Sequence, residues 1–118
     1  MDTLSLFKSS KDFKAYNSGD IIFESGSPPE YMYVIQEGEV EIIASGKVVE
    51  TLGPGELFGE MALVDKQPRS ATAKARTECK VVPINENRFR FLVQQTPFFA
   101  VHVMKVMSNR LRLMIKRI

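Results

Sequence analysis

Residues 31–52 read YMYVIQEGEVEIIASGKVVETL, and their rhythm is that of paired strands. Val40, Ile42 and Ala44 alternate with Glu39, Glu41 and Ile43, which buries one face of an extended segment and leaves the other mostly wet. Glu37-Gly38 and Ser45-Gly46 each supply a glycine where a tight hairpin requires positive φ. The stretch therefore predicts a meander of three strands.

The same grammar extends outward. From Phe13 to about Ile84, short apolar or alternating runs are cut by Gly19-Asp20, Gly26-Ser27-Pro28-Pro29, Gly53-Pro54-Gly55 and Gly59, the pattern of an antiparallel sandwich or roll. CKVVPI, residues 79–84, closes the β region, because Pro83 cannot donate to a ladder and belongs at an edge or a strand end. Beyond Ile84 the periodicity becomes helical. Asn85 caps ENRFRFLVQQ, with Phe89, Leu92 and Val93 on one face, and Thr96-Pro97 caps and opens a second helix running to the end. In that helix Val101, Met104, Met107 or Ser108, Leu111, Met114 or Ile115, and Ile118 recur at spacings of three and four. Such a stripe either docks on the domain body or forms the seam of a homodimeric coiled coil. No Gly or Pro stops the helix, as expected for a fragment of a longer protein.

At 118 residues with 44% apolar content, the chain suits one domain spanning 1–118, with a β-roll over 11–84 and C-terminal helices over 86–118. No apolar run is long enough to span a bilayer, and MDTLSLFKSSKDF lacks the basic flank and apolar segment of a secretory signal. Cys79 is the single cysteine; it has no partner for a disulfide or metal site and reads as a small buried hydrophobe at a strand edge. A cytoplasmic location is expected. Residues 1–86 hold all fourteen acidic residues against nine basic ones, whereas 87–118 hold seven basic residues and no acid. That basic run suits a solvated helix face, an acidic partner, a membrane surface or the chain's own acidic body. It is not followed by a helix-turn-helix, so no DNA-binding unit is expected within these residues.

The chemistry concentrates in FGEMALVDKQPRSATAKA, residues 58–75. Gly59 permits a backbone turn, after which Glu60-Met61-Ala62-Leu63 can begin one helical turn whose free N–H groups form an anion cradle. Arg69 follows behind Pro68, whose fixed φ stiffens the approach to the next strand, and its guanidinium can fork onto phosphate oxygens. By strand parity Arg69 shares a face with Ala71, Ala73 and Ala75, whose small side chains leave room for a ligand; Ser70 points the other way. Glu60 would repel a phosphate but can accept from a sugar hydroxyl. The pair thus suits a sugar phosphate, while a plain Glu60–Arg69 salt bridge across the turn fits the spacing equally well.

These residues resemble the phosphate-binding cassette of the cyclic-nucleotide-binding domain family, which includes the catabolite activator protein, protein kinase regulatory subunits and cyclic-nucleotide-regulated channels. The resemblance rests on Phe58-Gly59-Glu60, Ala62-Leu63 and Pro68-Arg69-Ser70-Ala71-Thr72 at the family spacing, with Gly19, Gly38, Gly46 and Gly55 also at turns of that fold. It covers residues 14–99 and extends without gaps along the last helix. It implies a mainly β fold with flanking helices: an antiparallel, eight-stranded β-roll (jelly roll, or double-stranded β-helix) with a cassette at 58–72. It further implies that Glu60 binds the ribose 2′-OH of cAMP or cGMP and that Arg69 binds the cyclic phosphate. The backbone of Gly59, Ala62, Leu63, Ser70 and Ala71 would line the cradle, with Met61 and Thr72 in the same cassette. Against parity, the resemblance also implies a phosphate contact from Ser70.

For the base, the extension puts Met114 and Ile115 where the catabolite activator presents hydroxyls to adenine, and no aromatic residue follows Phe99. The remaining candidate caps are Met114 or Ile115, or a guanidinium from Arg110 or Arg112. No catalytic residue, metal or cofactor is expected: no nucleophile–base pair accompanies the cassette, and one His and one Cys cannot hold a metal for diester hydrolysis. His102, among apolar neighbours, reads as a packed or surface histidine. Two other classes share the roll: a scaffold domain with a degenerate pocket, and a cupin-like enzyme. The latter needs clustered histidines, and residues 1–84 contain none.

Overall fold

The computed structural model describes residues 2–116. Twelve elements follow in order: α1 (Thr3–Phe7), β1 (Lys14–Tyr16), β2 (Ile21–Phe23), β3 (Met32–Glu37), β4 (Val40–Ala44), β5 (Lys47–Leu52), β6 (Leu57–Phe58), α2 (Met61–Asp65), β7 (Thr72–Ala75), β8 (Cys79–Ile84), α3 (Glu86–Gln95) and α4 (Pro97–Lys116). The eight strands form two four-stranded antiparallel sheets, ordered β1-β8-β3-β6 and β2-β7-β4-β5. This is the expected eight-stranded roll with flanking helices.

The three-strand meander is corrected. β4 and β5 do pair as a hairpin, from Val40 opposite Leu52 to Ala44 opposite Lys47, around a turn with positive φ at Ser45 and Gly46. β3 instead lies in the other sheet, between β8 and β6. Gly38 is where the chain crosses: a Cβ there would sit 2.2 Å from the Glu78 carbonyl oxygen, so only glycine lets this turn pack against the β7–β8 connection. The reason for the crossing is visible in β3 itself. Met32 and Val34 point into a core shared with Phe7, Leu63, Leu92, Phe99 and Val103, whereas Tyr33 and Ile35 point into the space between the sheets with Val40, Phe58, Ala73 and Val81. A strand covered on both faces needs a continuous apolar run, and YMYVI supplies one. Pro83 pairs with Tyr33 on one side; on the other, β1 ends with Lys14 opposite Val81, so the missing N–H falls beyond β1, at the strand end.

The helices close the outer face of the first sheet. Asn85 caps α3 as expected, its side chain accepting from the Arg88 N–H at 2.9 Å. Leu92 is buried and Phe89 packs against the core, but Val93 is exposed. Phe99 on α4 is fully buried, edge-on to Phe7 at 6.0 Å and to Phe89 at 6.3 Å. The sequence reading did not anticipate α1. Its one local signal is Asp2, which accepts from the Ser5 N–H at 2.9 Å and caps the helix. Gln36 then fixes the end of α1, donating to the carbonyls of Phe7 at 2.8 Å and Ser10 at 2.9 Å.

The docking face of α4 also differs from the expected stripe. Phe99 and Val103 are buried, with Val106 and Met107 packed beside them, while Val101, Met104, Leu111, Met114 and Ile115 are exposed. Ile118 lies outside the described residues. α4 therefore carries two apolar faces, and the roll has taken the one led by Phe99. His102 sits between these faces, its Nδ1 2.5 Å from Thr3 Oγ1, joining α1 to α4; burial lowers its pKa from the usual imidazole value. Cys79 is buried at the start of β8, and burial raises its thiol pKa. Among the described residues no helix is long and apolar enough to cross a membrane.

Candidate functional site

A cleft of about 350 Å³ opens between the β4–β5 hairpin, the segment from Phe58 to Ala71, and α4. Ile42, Ala44 and Val49 make an apolar wall; Glu50, Glu60, Arg69, Ser70 and Arg110 make the polar side, with Gly59, Met61, Ala62 and Ala71 among them. The inward face of β4, Val40-Ile42-Ala44, loses burial along its length because its far end faces this space rather than the core.

Arg69 is the most constrained member. Its backbone is clamped by two hydrogen bonds to the Gly26-Ser27 turn: its N–H donates to Ser27 O at 2.9 Å, and its carbonyl accepts from the Gly26 N–H at 2.7 Å. The residue is 7% exposed. Nη1 donates to Gly59 O at 3.2 Å, Nη2 donates to Tyr31 O, and the guanidinium lies 4.0 Å above the Phe23 ring centroid. Gly59 is required here: a Cβ would meet Arg69 Nη1 at 2.8 Å, and the residue has φ +74°. Among the described residues Nε has no hydrogen-bond partner and the guanidinium forms no salt bridge. Burial pulls its pKa down, yet arginine stays protonated. A buried cation whose direct contacts are all neutral, with Glu30 acting only from a distance, is costly, and an anion in the cleft would offset that cost.

Glu60 is 1% exposed and does not pair with Arg69. It caps α2, its Oε2 accepting from the Met61 N–H at 3.3 Å, and Oε1 is ion-paired with Arg110 Nη1. The plain Glu60–Arg69 salt bridge is therefore absent. Arg110 in turn donates from Nε to Glu50 Oε1 at 3.0 Å. One guanidinium from α4 thus joins two carboxylates, on β5 and at the head of α2.

The expected cradle of free N–H groups on α2 is partly corrected. Ala62 N donates to Gly59 O at 3.3 Å and Leu63 N to Glu60 O at 3.2 Å, because a five-residue helix closes its own first turn with i→i−3 bonds. Leu63 turns its side chain into the core. Thr72 does not line the cleft; its Oγ1 accepts from the Ser25 N–H at 3.0 Å. Ser70 is exposed and lines the cleft rim. Of the four base-cap candidates only Arg110 reaches the cleft; Arg112, Met114 and Ile115 are exposed on α4 away from it. Sequence reasoning missed Glu50, Phe23, Tyr31 and the Ile42-Ala44-Val49 wall. Of these, only the alternation of β4 carried a signal. The arrangement can hold a molecule that is anionic at one end, offers a hydroxyl beside the anion, and presents an apolar face to β4 and β5.

Comparison with known proteins gives a consistent result. The family profile described as cyclic nucleotide-binding domain matches residues 13–96. The chain is 32% identical over 97 residues to a cAMP-dependent protein kinase regulatory subunit of Eremothecium gossypii, covering 82% of this chain and 21% of that one. It is 34% identical over 83 residues to a cGMP-dependent protein kinase of Plasmodium berghei, covering 70% and 10%. The crystal structure of the Thermus thermophilus catabolite activator protein superposes with a TM-score of 0.84 at 28% identity, covering 98% of this chain and 56% of that one. The chain thus spans about a fifth of the first curated relative it matches.

Proposed function

Since this chain belongs to the cyclic nucleotide-binding domain family, we propose that it is a non-catalytic sensor for cAMP or cGMP that reports binding through α4. The observation that carries this reading is Arg69, a buried guanidinium with no carboxylate partner whose Nε edge is left for an anion. A cyclic phosphodiester supplies that anion at every physiological pH. In this reading Glu60 accepts from the ribose 2′-OH, and Gly59, Met61, Ala62, Leu63, Ser70, Ala71 and Thr72 form the cassette around the phosphate. Closure of α4 would then bring Met114, Ile115 or Arg112 toward the base. A cytoplasmic location accords with a ligand of this kind.

Calorimetric titration with each nucleotide tests the reading, and absence of binding by both would overturn it in favour of a scaffold role. The role of Glu60 has its own test. A 2′-deoxy cyclic nucleotide should bind the wild type roughly tenfold or more weakly, the worth of one hydrogen bond to a charged acceptor. It should bind Glu60→Ala about as well as the parent ligand does, because the pair of comparisons isolates that bond. Equal affinities of both ligands for the wild type would remove Glu60 from the site.

The exposed face of α4 suits a homodimer. Val101, Met104, Leu111 and Ile115 repeat at spacings compatible with a two-helix seam, opposite the face that docks on the roll. Sedimentation should therefore show self-association that Leu111→Glu abolishes. A monomer at every concentration would leave the stripe solvated.

A further inference from the structure

Resting on the reading of Glu60 as the acceptor for a ligand hydroxyl, we infer that Glu50 is a positioning residue that keeps α4 docked over the cleft when ligand engages Glu60. Among the described residues Arg110 is the only ion-pair link between α4 and the two carboxylates, joining Glu60 through Nη1 and Glu50 through Nε. Its side chain is 23% exposed and that of Glu50 29%, while residues 111–116 beyond it are all exposed. Among the described residues the ion pair is thus the last polar anchor along the helix.

A single carboxylate in that role would create a conflict. A hydroxyl donating to Glu60 meets a carboxylate whose Oε1 already holds Arg110 and whose Oε2 accepts from the Met61 N–H, so sharing that charge loosens its hold on the helix. Glu50 removes that conflict. It sits on β5, the edge of its sheet, and takes the Nε edge of the guanidinium. The planar fork of arginine lets the two edges be held independently. As Glu60 turns to the ligand, Arg110 stays in place through Glu50. A part-exposed ion pair contributes little to global stability; the effect of Glu50 is local, on a helix with no later side-chain hydrogen bond or ion pair among the described residues.

The test is Glu50→Gln, nearly isosteric and on an edge strand, measured by amide exchange of residues 104–112 and by cAMP and cGMP titration. In the wild type, ligand should preserve or raise protection of those amides. In Glu50→Gln, ligand should lower it, and affinity should fall roughly fivefold, the lower end of ordinary coupling between sites. In an Arg110→Met background the same substitution should change affinity no further, since Glu50 acts through Arg110. An equal loss in both backgrounds, or identical responses of α4 to ligand in Glu50→Gln and wild type, would overturn the inference. Should the wild type bind neither nucleotide, the functional reading fails separately. Ligand-free exchange still judges the latch in a Glu60→Gln background, where Glu50 alone holds Arg110: adding Glu50→Gln should speed exchange of 104–112, and unchanged exchange refutes it.

Discussion

Arg69→Ala is expected to weaken cAMP or cGMP binding by at least roughly thirtyfold, since removing one partner of a desolvated charge pair typically costs about 2 to 5 kcal/mol. The environment of Arg69 makes the loss specific. Gly59 O, Tyr31 O and the Phe23 ring hold the guanidinium in place, so its position is set before a ligand arrives and little ordering cost is incurred on binding. Those neighbours are neutral and Glu30 acts only from a distance, so the phosphate would be its one directly bonded counter-charge. The ligand-free fold should tolerate the change better than binding does: truncation frees two carbonyls but also removes a buried charge that has no ion-pair partner among the described residues. Calorimetry on the folded variant decides the matter. Unchanged affinity would take Arg69 out of the site, and with it the observation on which the functional reading stands.

Phe99→Ala is expected to cost about 3 to 5 kcal/mol of stability, the range for emptying a buried phenylalanine site. Phe99 is fully buried and is the point where α1, α3 and α4 meet, through Phe7 and Phe89. Because helices and sheet share this core, the cavity cannot close by moving one element alone. For a domain of ordinary stability, about 5 to 15 kcal/mol, that is a large fraction of the total. The melting temperature should drop by roughly 10 °C or more. Urea denaturation of the two proteins checks the figure, and a cost below about 1 kcal/mol would mean that α4 is not held by this core. Nucleotide affinity should fall as well, since Phe99 and Arg110 are both attachments of α4.

Much of the candidate site was legible because it is local. The turn at Gly59, the cap at Glu60 and the strand parity of Arg69 and Ala71 depend on residues close in sequence, and the resemblance of residues 58–75 to a known cassette rests on the same stretch. The structure brings Glu60 and Arg69 to one cleft, yet the identity of each charge's partner was not legible. Spacing allowed Glu60 and Arg69 to pair with each other. The fold instead gives Glu60 to Arg110, a residue from α4, and surrounds Arg69 with carbonyls from Tyr31 and Gly59. An ion pair between distant segments leaves no periodicity behind, and Glu50 had no local pattern to mark it.

The sequence by itself determined the β grammar of residues 13–84, the turn glycines, the Asn85 cap and the helical end, since alternation, positive φ and capping act within a few residues. Only the tertiary structure decided that β3 leaves its hairpin neighbour for β8 and β6, and that α4 docks by Phe99 and Val103 rather than by Met104 and Leu111. In both cases two apolar surfaces of similar composition competed. Burial free energy follows the area removed from water, with little regard to direction. The outcome therefore depended on which surface had a matching partner across the molecule, which no window of local sequence contains.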